Sequence, residues 1–114
     1  MLNEAKGVSV SGGYAYVANQ FSGLQIIDID PLESASIVNS VDTPGYAQGV
    51  AISGGYAYVA DWEAGLQIID IESPESAYII SSVDTPGHAG GVAVSGSYAY
   101  VAAYVGGLRI IKLW

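Results

Sequence analysis

Apolar residues occur in short runs whose two alternating sets of positions are both apolar. In one run Tyr56 and Tyr58 alternate with Ala57 and Val59, and the following run, 66–71, is apolar on both sides in the same way. A sheet with one wetted face has a polar residue at every second position, so these strands are predicted to be covered on both faces. Helical periodicity is not seen. The pattern predicts an all-β protein whose sheets stack on one another.

The strands recur with a period of 42 residues. Segment 7–18 returns at 49–60 and 91–102, and the first two units are identical at 28 of 42 positions. In the second unit, strands are predicted over 49–53, 56–60, 66–71 and 77–83, with a glycine hairpin at 54–55. A repeat near 40 residues made of four short strands is typical of a β-propeller blade. Each unit is therefore predicted to be a four-stranded antiparallel meander.

The chain holds about two and a half to three such blades in one domain. The predicted divisions are a single repeat domain at 1–114, with blade 1 at 7–48, blade 2 at 49–90 and a partial blade 3 at 91–114 that lacks its outer strand. Small residues in the first strand suit a position near the central axis. The side chains expected to be largely buried are Tyr16, Val17, Ile26, Tyr58, Val59 and Ile68.

Two further segments carry a resemblance to a known family. Gly65-Leu66-Gln67-Ile68-Ile69-Asp70-Ile71 and Val83-Asp84-Thr85-Pro86-Gly87 resemble the LVIVD repeat, a propeller blade of prokaryotic proteins, many of them predicted to be at the cell surface. The resemblance covers nearly all of the chain beyond Lys6, and it implies a scaffold and a cell-surface or extracellular location. Localisation is otherwise open, because the first six residues have no features of a signal peptide. The third unit departs from the pattern, with Lys112 where the other units have aspartate.

Three blades form an open arc with an apolar face at each end. Propeller rings have about 4 to 8 blades, and residues 1–6 are too short and polar to supply a missing strand. A head-to-tail homodimer with six blades would cover both faces by one repeated contact. A nine-bladed trimer is a second arrangement, and an excised or engineered propeller fragment is compatible with the dimer.

Charge and composition exclude several classes of function. The net charge of −8 leaves no basic face for nucleic acid. The apolar runs are far shorter than the roughly 20 residues of a membrane-spanning helix. Cysteine is absent, which removes disulfides and thiolate metal sites. The acidity itself is consistent with solubility or with an acidic binding face.

The units differ most in the loop between their second and third strands and in the connection to the next blade. Propeller geometry places both on one face, where exposed aromatics beside amides and carboxylates would suit a protein, peptide or glycan partner. The alternatives are that these loops vary because they are unconstrained, with their rings packed over the loop base, and that the protein is a purely structural repeat. The candidate partner-binding residues are Asn19, Gln20, Phe21, Tyr46, Gln48, Asp61, Trp62, Glu63, His88, Tyr104 and Val105.

Catalysis and metal binding have little support. His88 is the only histidine, and no serine or cysteine occupies a nucleophile elbow. Asp61 and Glu63 are too few oxygen donors for calcium. We expect no cofactor and no enzymatic activity. The aspartates at 28, 70, 42 and 84 are predicted to accept backbone hydrogen bonds in the turns that follow them.

Overall fold

The structure is a computed structural model that describes residues 4–113, and it contains three antiparallel sheets, one for each sequence unit. The first sheet has the order β1-β2-β3-β4, the second β5-β6-β7-β8, and the third contains β9, β10 and β11. The strands are β1 (Gly7–Ser11), β2 (Tyr14–Ala18), β3 (Leu24–Asp28), β4 (Ser36–Val41), β5 (Gly49–Ser53), β6 (Tyr56–Ala60), β7 (Leu66–Asp70), β8 (Tyr78–Val83), β9 (Gly91–Ser95), β10 (Tyr98–Ala102) and β11 (Leu108–Lys112). The all-β prediction is confirmed.

The predicted strand limits in the second unit differ from the observed ones by one residue at two places. β7 ends at Asp70 rather than at 71, and β8 begins at Tyr78 rather than at 77. The pairing of β7 with β8 ends at Asp70 opposite Tyr78. On the other side, the N–H of Ile71 donates to the carbonyl of Gly55 in the hairpin, at 2.9 Å, and continues the pairing with β6. Single-turn 3-10 helices, Leu32–Ser34 and Pro74–Ser76, lie between the third and fourth strands of the first two blades, and Tyr104–Gly106 forms another before β11.

Each blade packs a set of apolar side chains against the next blade. We call the side toward the next blade the forward face and the side toward the preceding blade the rear face. In the first contact, the forward face of blade 1 meets the rear face of blade 2; the buried residues are Tyr16, Ala18, Leu24 and Ile26 against Val50, Ala57, Val59, Ile69 and Ile71. In the second contact, Tyr58, Ala60, Leu66 and Ile68 meet Ala99 and Val101, with Val92, Ile111 and Leu113 partly buried beside them. The six side chains expected to be buried are buried.

The first strands of the blades lie side by side. A Cβ atom added to Gly7 would lie 3.1 Å from the Cα of Gly49, and one added to Gly49 would lie 3.3 Å from the Cα of Gly91. A larger residue would require the neighbouring backbone to move, so the expectation of small residues close to the axis is confirmed at these positions. Ser9 also donates to the carbonyl of Val50 at 2.8 Å, which ties the two inner strands together.

Strand-end aspartates behave as predicted in two of four cases. Asp28 and Asp70 accept the backbone N–H two residues later, each at 3.0 Å. For Asp42 and Asp84 the prediction is wrong, since within 4–113 neither carboxylate accepts a backbone hydrogen bond. The turn that contains Asp42 is held from outside by the side chain of Asp61, as described below.

Within residues 4–113, no helix has the length and apolar character needed to cross a bilayer.

The blade contacts make a direct prediction for stability. Tyr58 is 1% exposed in the contact between blades 2 and 3. Tyr58→Ala should therefore lower the free energy of unfolding by about 3 kcal/mol, because the cavity cannot be refilled by the strands around it. Denaturant titration measures the loss.

Tyr78→Ala is the control, because Tyr78 is an exposed tyrosine on the outer strand of the same blade. This variant should change the free energy of unfolding by less than about 1 kcal/mol. Equal losses in the two variants would show that Tyr58 does not fill a packed contact between blades.

Candidate functional site

The loops between second and third strands lie on the same face as the connections between blades. Backbone hydrogen bonds join the two directly: Gln20 and Ala47 exchange both of theirs, at 2.9 and 3.2 Å, and Trp62 and Ala89 do the same at 3.0 Å each. We call this surface, formed by loops 19–22, 61–64 and 103–106 with connections 42–48 and 84–90, the loop face. Its segments are held together by main-chain atoms, so their side chains can vary without loss of the framework.

The three loops share one backbone conformation. In the first, Asn19 N–H donates to Gly23 O at 2.8 Å and Gly23 N–H donates to Gln20 O at 3.0 Å; the same bonds recur in the other two loops. The second residue of each loop has a positive φ: 45° at Gln20, 56° at Trp62 and 50° at Tyr104. Positive φ is uncommon outside glycine and costs on the order of 1 kcal/mol. All three blades therefore hold a bulky side chain in this conformation.

In blades 1 and 2, the first residue of the loop supports the surface from below. Asp61 is fully buried and accepts hydrogen bonds from Thr43 Oγ at 2.7 Å and from the N–H of Gly45 at 2.8 Å. Burial raises the pKa of the Asp61 carboxyl, while these two hydrogen bonds lower it in part. In blade 1 the equivalent residue, Asn19, is also buried and accepts from the N–H of Glu4. Asn19 and Asp61 are predicted from the sequence to contact a partner, but in the structure both side chains are buried beneath the loop face.

Close packing also explains the glycine of the turn between blades 1 and 2. The sequence predicts proline and glycine at the centre of a turn, which requires positive φ at the glycine. Gly87 has φ 86°, but Gly45 is not among the glycines with positive φ. A Cβ on Gly45 would instead lie 2.1 Å from the carbonyl oxygen of Asp61. Gly45 is needed because the loop and the connection approach closely.

Blade 3 lacks this support. Ala103 occupies the position of Asp61, and Thr85 occupies the position of Thr43. Thr85 Oγ is buried with no hydrogen-bond partner, and it is the one such side-chain atom found across residues 4–113. A buried hydroxyl without a partner costs about 1 to 3 kcal/mol. The replacement of an acceptor by alanine accounts for the orphaned hydroxyl.

Aromatic rings contact one another across the loop face. The ring centroids of Phe21 and Tyr46 are 4.6 Å apart at 66°, and Trp62 lies 4.7 Å from His88 and 4.9 Å from Tyr104. Each pair joins a loop to a neighbouring connection or loop, and aromatic pairs at these distances are stabilising. The structure therefore brings together side chains that are far apart in the sequence.

Most of the candidate residues lie at the surface of the loop face. Phe21, Tyr46, Glu63, His88, Tyr104 and Val105 are exposed, whereas Gln20, Gln48 and Trp62 are half-buried. Val105 is 96% exposed and Phe21 69%, which is more than packing over a loop base would leave. Exposed aromatic rings thus lie beside an exposed apolar side chain and a carboxylate, which are residue types found in binding surfaces.

The loop face does not contain a recognisable arrangement for catalysis or metal binding within the described residues. His88 stacks on Trp62, and both carboxylate oxygens of Asp61 are engaged below the surface. Over residues 4–113 there is no group of three His, Cys, Asp or Glu side chains positioned to hold a metal ion.

Sequence reasoning missed a cleft on the opposite face. It has a volume of about 380 Å³ and is lined by the hairpins of blades 1 and 2 and by the loop after β7; the lining residues include Tyr14, Tyr16, Ile71, Glu72 and Pro74. Asn39 donates to Pro74 O at 3.1 Å and joins the two blades beside it. The Gly-Gly hairpins of blades 1 and 2 could have indicated this cleft in the sequence, because glycines have no side chains to fill the space between the two hairpins.

Three successive matches to one repeat cover nearly the whole chain. The family model of the LVIVD repeat matches residues 3–43, 44–85 and 86–112. The chain belongs to the LVIVD repeat family. The earlier resemblance is thereby confirmed, and the match boundaries fall in the connections between LVIVD blades.

Solved structures support the propeller-like arrangement of the blades. A protein of unknown function from Desulfotomaculum acetoxidans DSM 771 is similar with a TM-score of 0.79 and 20% identity, over 96% of this chain. This LVIVD chain spans 41% of the length of that protein. The computationally designed Ika4 protein is similar with a TM-score of 0.60 and 4% identity, over 100% of this chain and 94% of its own. Both likenesses concern the fold alone, and no curated protein matches the chain.

The buried carboxyl of Asp61 predicts a specific pH dependence. Its pKa in the folded protein lies above the ordinary value of 3.8. Between those two values the native state holds more protons than the unfolded chain, so the contribution of Asp61 to stability decreases as pH rises. Asp61→Asn keeps an acceptor for the N–H of Gly45 and removes the titration. The difference in free energy of unfolding, wild type minus variant, should decline as pH rises above 3.8 and through the pKa of Asp61 in the folded protein.

Urea unfolding at a series of pH values measures this difference, and carboxylates that do not interact with Asp61 cancel in it. Glu33→Gln is the control, since it removes an exposed acid that is not among the groups acting on the Asp61 carboxyl. A flat difference for Asp61→Asn, or an equal slope for Glu33→Gln, would contradict the assignment.

The orphaned hydroxyl of Thr85 predicts a stabilising substitution. Ala103→Asp supplies the acceptor that Asp61 provides in blade 2, and it should raise the free energy of unfolding by about 1 kcal/mol after the cost of burying a carboxylate. Thr85→Val removes the hydroxyl and should stabilise the protein by a similar amount. The two gains should not add, because each removes the same defect. Full additivity in denaturant titration would rule out this explanation of the defect.

Proposed function

We propose that this protein is a non-catalytic binding module whose loop face holds a peptide segment with cationic and apolar side chains. The exposed aromatic surface carries the proposal: Phe21, Tyr46 and Tyr104 present rings to solvent, with Val105 almost fully exposed beside them. Aromatic side chains on a rigid framework supply large contact area at low entropic cost. The framework here is rigid because backbone hydrogen bonds join loop 19–22 to connection 42–48 and loop 61–64 to connection 84–90.

Charge favours a cationic partner. The chain has a net charge of −8, and Glu63, Asp42 and Asp84 are exposed within the loops and connections of this face. A lysine or arginine of the partner could pair with these carboxylates and lie against an aromatic ring at the same time. The charges would also accelerate encounter with a basic segment.

A glycan is the other class of partner that these residue types suit. It requires an open ring face with hydrogen-bonding groups at its edge, and Gln20 and Gln48 are half-buried rather than exposed. The apolar exposure of Val105 also favours a peptide side chain over a sugar hydroxyl.

A purely structural role is the second candidate function. One observation favours it: the end blades expose apolar side chains, among them Val8 and Ile110, that have no role in loop-face binding. A repeat that serves for assembly would need those surfaces and no ligand.

A peptide library tests the proposed function, with binding of the selected peptide measured by titration calorimetry. Phe21→Ala and Tyr104→Ala should each weaken binding by about tenfold or more, because each removes an exposed ring from the contact. Binding should also weaken at high salt. Tyr78→Ala, an exposed tyrosine on the outer strand of blade 2, is the matched control and should bind like wild type.

A glycan array is probed in parallel. Selective binding of a glycan but no peptide would overturn the proposed partner class. Absence of binding on both arrays, or equal loss in the Tyr78→Ala control, would overturn the loop face as a binding surface and leave the structural role.

A further inference from the structure

The outward faces of the two end blades carry the same residues as the two contacts inside the chain. On the forward face of blade 3, Tyr100, Ala102, Leu108 and Ile110 stand where blade 1 has Tyr16, Ala18, Leu24 and Ile26, which pack on the rear face of blade 2. On the rear face of blade 1, Val8, Ala15, Val17, Ile27 and Ile29 stand where blade 2 has Val50, Ala57, Val59, Ile69 and Ile71. The two outward faces are thus identical, at these positions, to a pair of faces that pack together within the chain.

Several of these matched positions differ in exposure, although Val17 is buried as Val59 is. Leu24 and Ile26 are each 0% exposed, whereas Leu108 and Ile110 are 62% and 60% exposed. Val50 is 8% exposed, and its counterpart Val8 is 63% exposed. Val8 and Val50 lie in equivalent strands of four-stranded sheets, so the difference between them arises from the absence of a neighbouring blade. Leu108 and Ile110 lack a neighbouring blade and also the outer strand that the first two blades have. Contiguous apolar surface of this kind marks an interaction site.

The backbone around the outward faces is also prepared for a neighbour. Tyr104 adopts the φ of 50° that Gln20 and Trp62 adopt, but it has no bridge partner in the described part of the chain. Ala5 occupies the repeat position of Ala47 and Ala89, the partners in those bridges. Lys6 N–H donates to Ala18 O at 2.8 Å, as Gln48 donates to Ala60 and Gly90 donates to Ala102. The segment before β1 therefore already follows the path of a connection between blades.

We propose that the forward face of blade 3 in one copy packs on the rear face of blade 1 in a second copy. The contact repeats the contact between blades 1 and 2, and it places Ala5 of the second copy opposite Tyr104. It joins two different surfaces, so it closes a ring when the copies complete a full turn. With three blades per copy, the one multiple of three among rings of about 4 to 8 blades is six. Two copies and two identical contacts complete the ring.

An added strand would not cover the exposed side chains in the same way. β11 pairs with β10 alone among the described strands, so its other edge has free backbone groups. A strand added there would extend the sheet and leave the forward face of Leu108 and Ile110 uncovered. A second copy covers that face and the rear face of blade 1 by the same contact.

The ring also changes the loop face. Glu4 stands at the repeat position of Tyr46 and His88, which contact aromatic residues of the preceding loop. At the closing contact, Glu4 of one copy would lie beside Tyr104 and Val105 of the other. The second copy thus contributes a carboxylate to the loop face. The assembly itself does not depend on loop-face binding, and loop-face variants should retain its mass.

Sedimentation equilibrium of the full chain at micromolar concentration tests the proposal. The expected mass is twice the 11.7 kDa of one chain. Ile110→Glu and Val8→Glu should each give the single-chain mass, because each places an unpaired carboxylate in both contacts of the ring. Both positions are exposed in the single chain, so each variant should keep its strand content by circular dichroism. Ile80→Glu is the matched control: an exposed isoleucine on β8, away from the end faces, that should leave the double mass unchanged.

The two variants together distinguish a head-to-tail contact from one between like faces. Contacts between two blade 3 faces would be lost in Ile110→Glu alone, and contacts between two blade 1 faces in Val8→Glu alone. In the head-to-tail arrangement both are lost, and mixing the two variants restores one unaltered contact and some double-mass species. A single-chain mass for wild type, a double mass retained by either variant, or no double-mass species on mixing would overturn the proposal.

Discussion

Blade-to-blade packing of apolar side chains is the interaction on which the rest of this structure depends. A single four-stranded sheet cannot bury both of its faces, and here both faces of blade 2 are apolar and covered by its neighbours. At about 25 cal/mol per Å² of apolar surface, this burial is the dominant favourable term available to a chain without disulfides. Everything else is secondary to it. The hairpins, turns and loop bridges set the angle and spacing at which the faces meet.

The inner strands add a steric condition to that packing. Gly7, Gly49 and Gly91 bring backbone against backbone, and a Cβ atom at the first two would meet the Cα of the next glycine at 3.1 and 3.3 Å. Larger residues there would push the blades apart at the axis and open the contacts farther out. The same separation accommodates Tyr16 and Tyr58, whose rings fill the wider space between neighbouring second strands. A blade is therefore narrow near the axis, where its residues are small, and wider farther from the axis, where its residues are large.

The blade architecture could be predicted from the sequence because it depends on local features that repeat. Period, turn residues and doubly apolar strands define the sheets, and β5 and β6 occur at the predicted residues. The support of the loop face could not be predicted in the same way. Asp61 meets Thr43 and Gly45 across 18 and 16 residues of sequence, and nothing in the local pattern of the loop shows that the side chain points inward. Comparison of the repeat units offers one signal of this contact: Thr43 and Asp61 are replaced in the next unit by Thr85 and Ala103, and an alanine side chain cannot accept a hydrogen bond. The hydroxyl of Thr85 accordingly has no partner.

The loops show how a binding surface can vary while the blade stays constant. The bonds that shape each loop and tie it to the next connection come from main-chain atoms, so the identity of Gln20, Trp62 or Tyr104 is free. Glycine would adopt their positive φ at no steric cost, and it does so at the turns and hairpins elsewhere in the chain. At this position all three blades instead hold a larger side chain at a cost on the order of 1 kcal/mol each. Folding alone would favour glycine at this position, so the strain held in all three loops is consistent with the proposed binding role of the loop face.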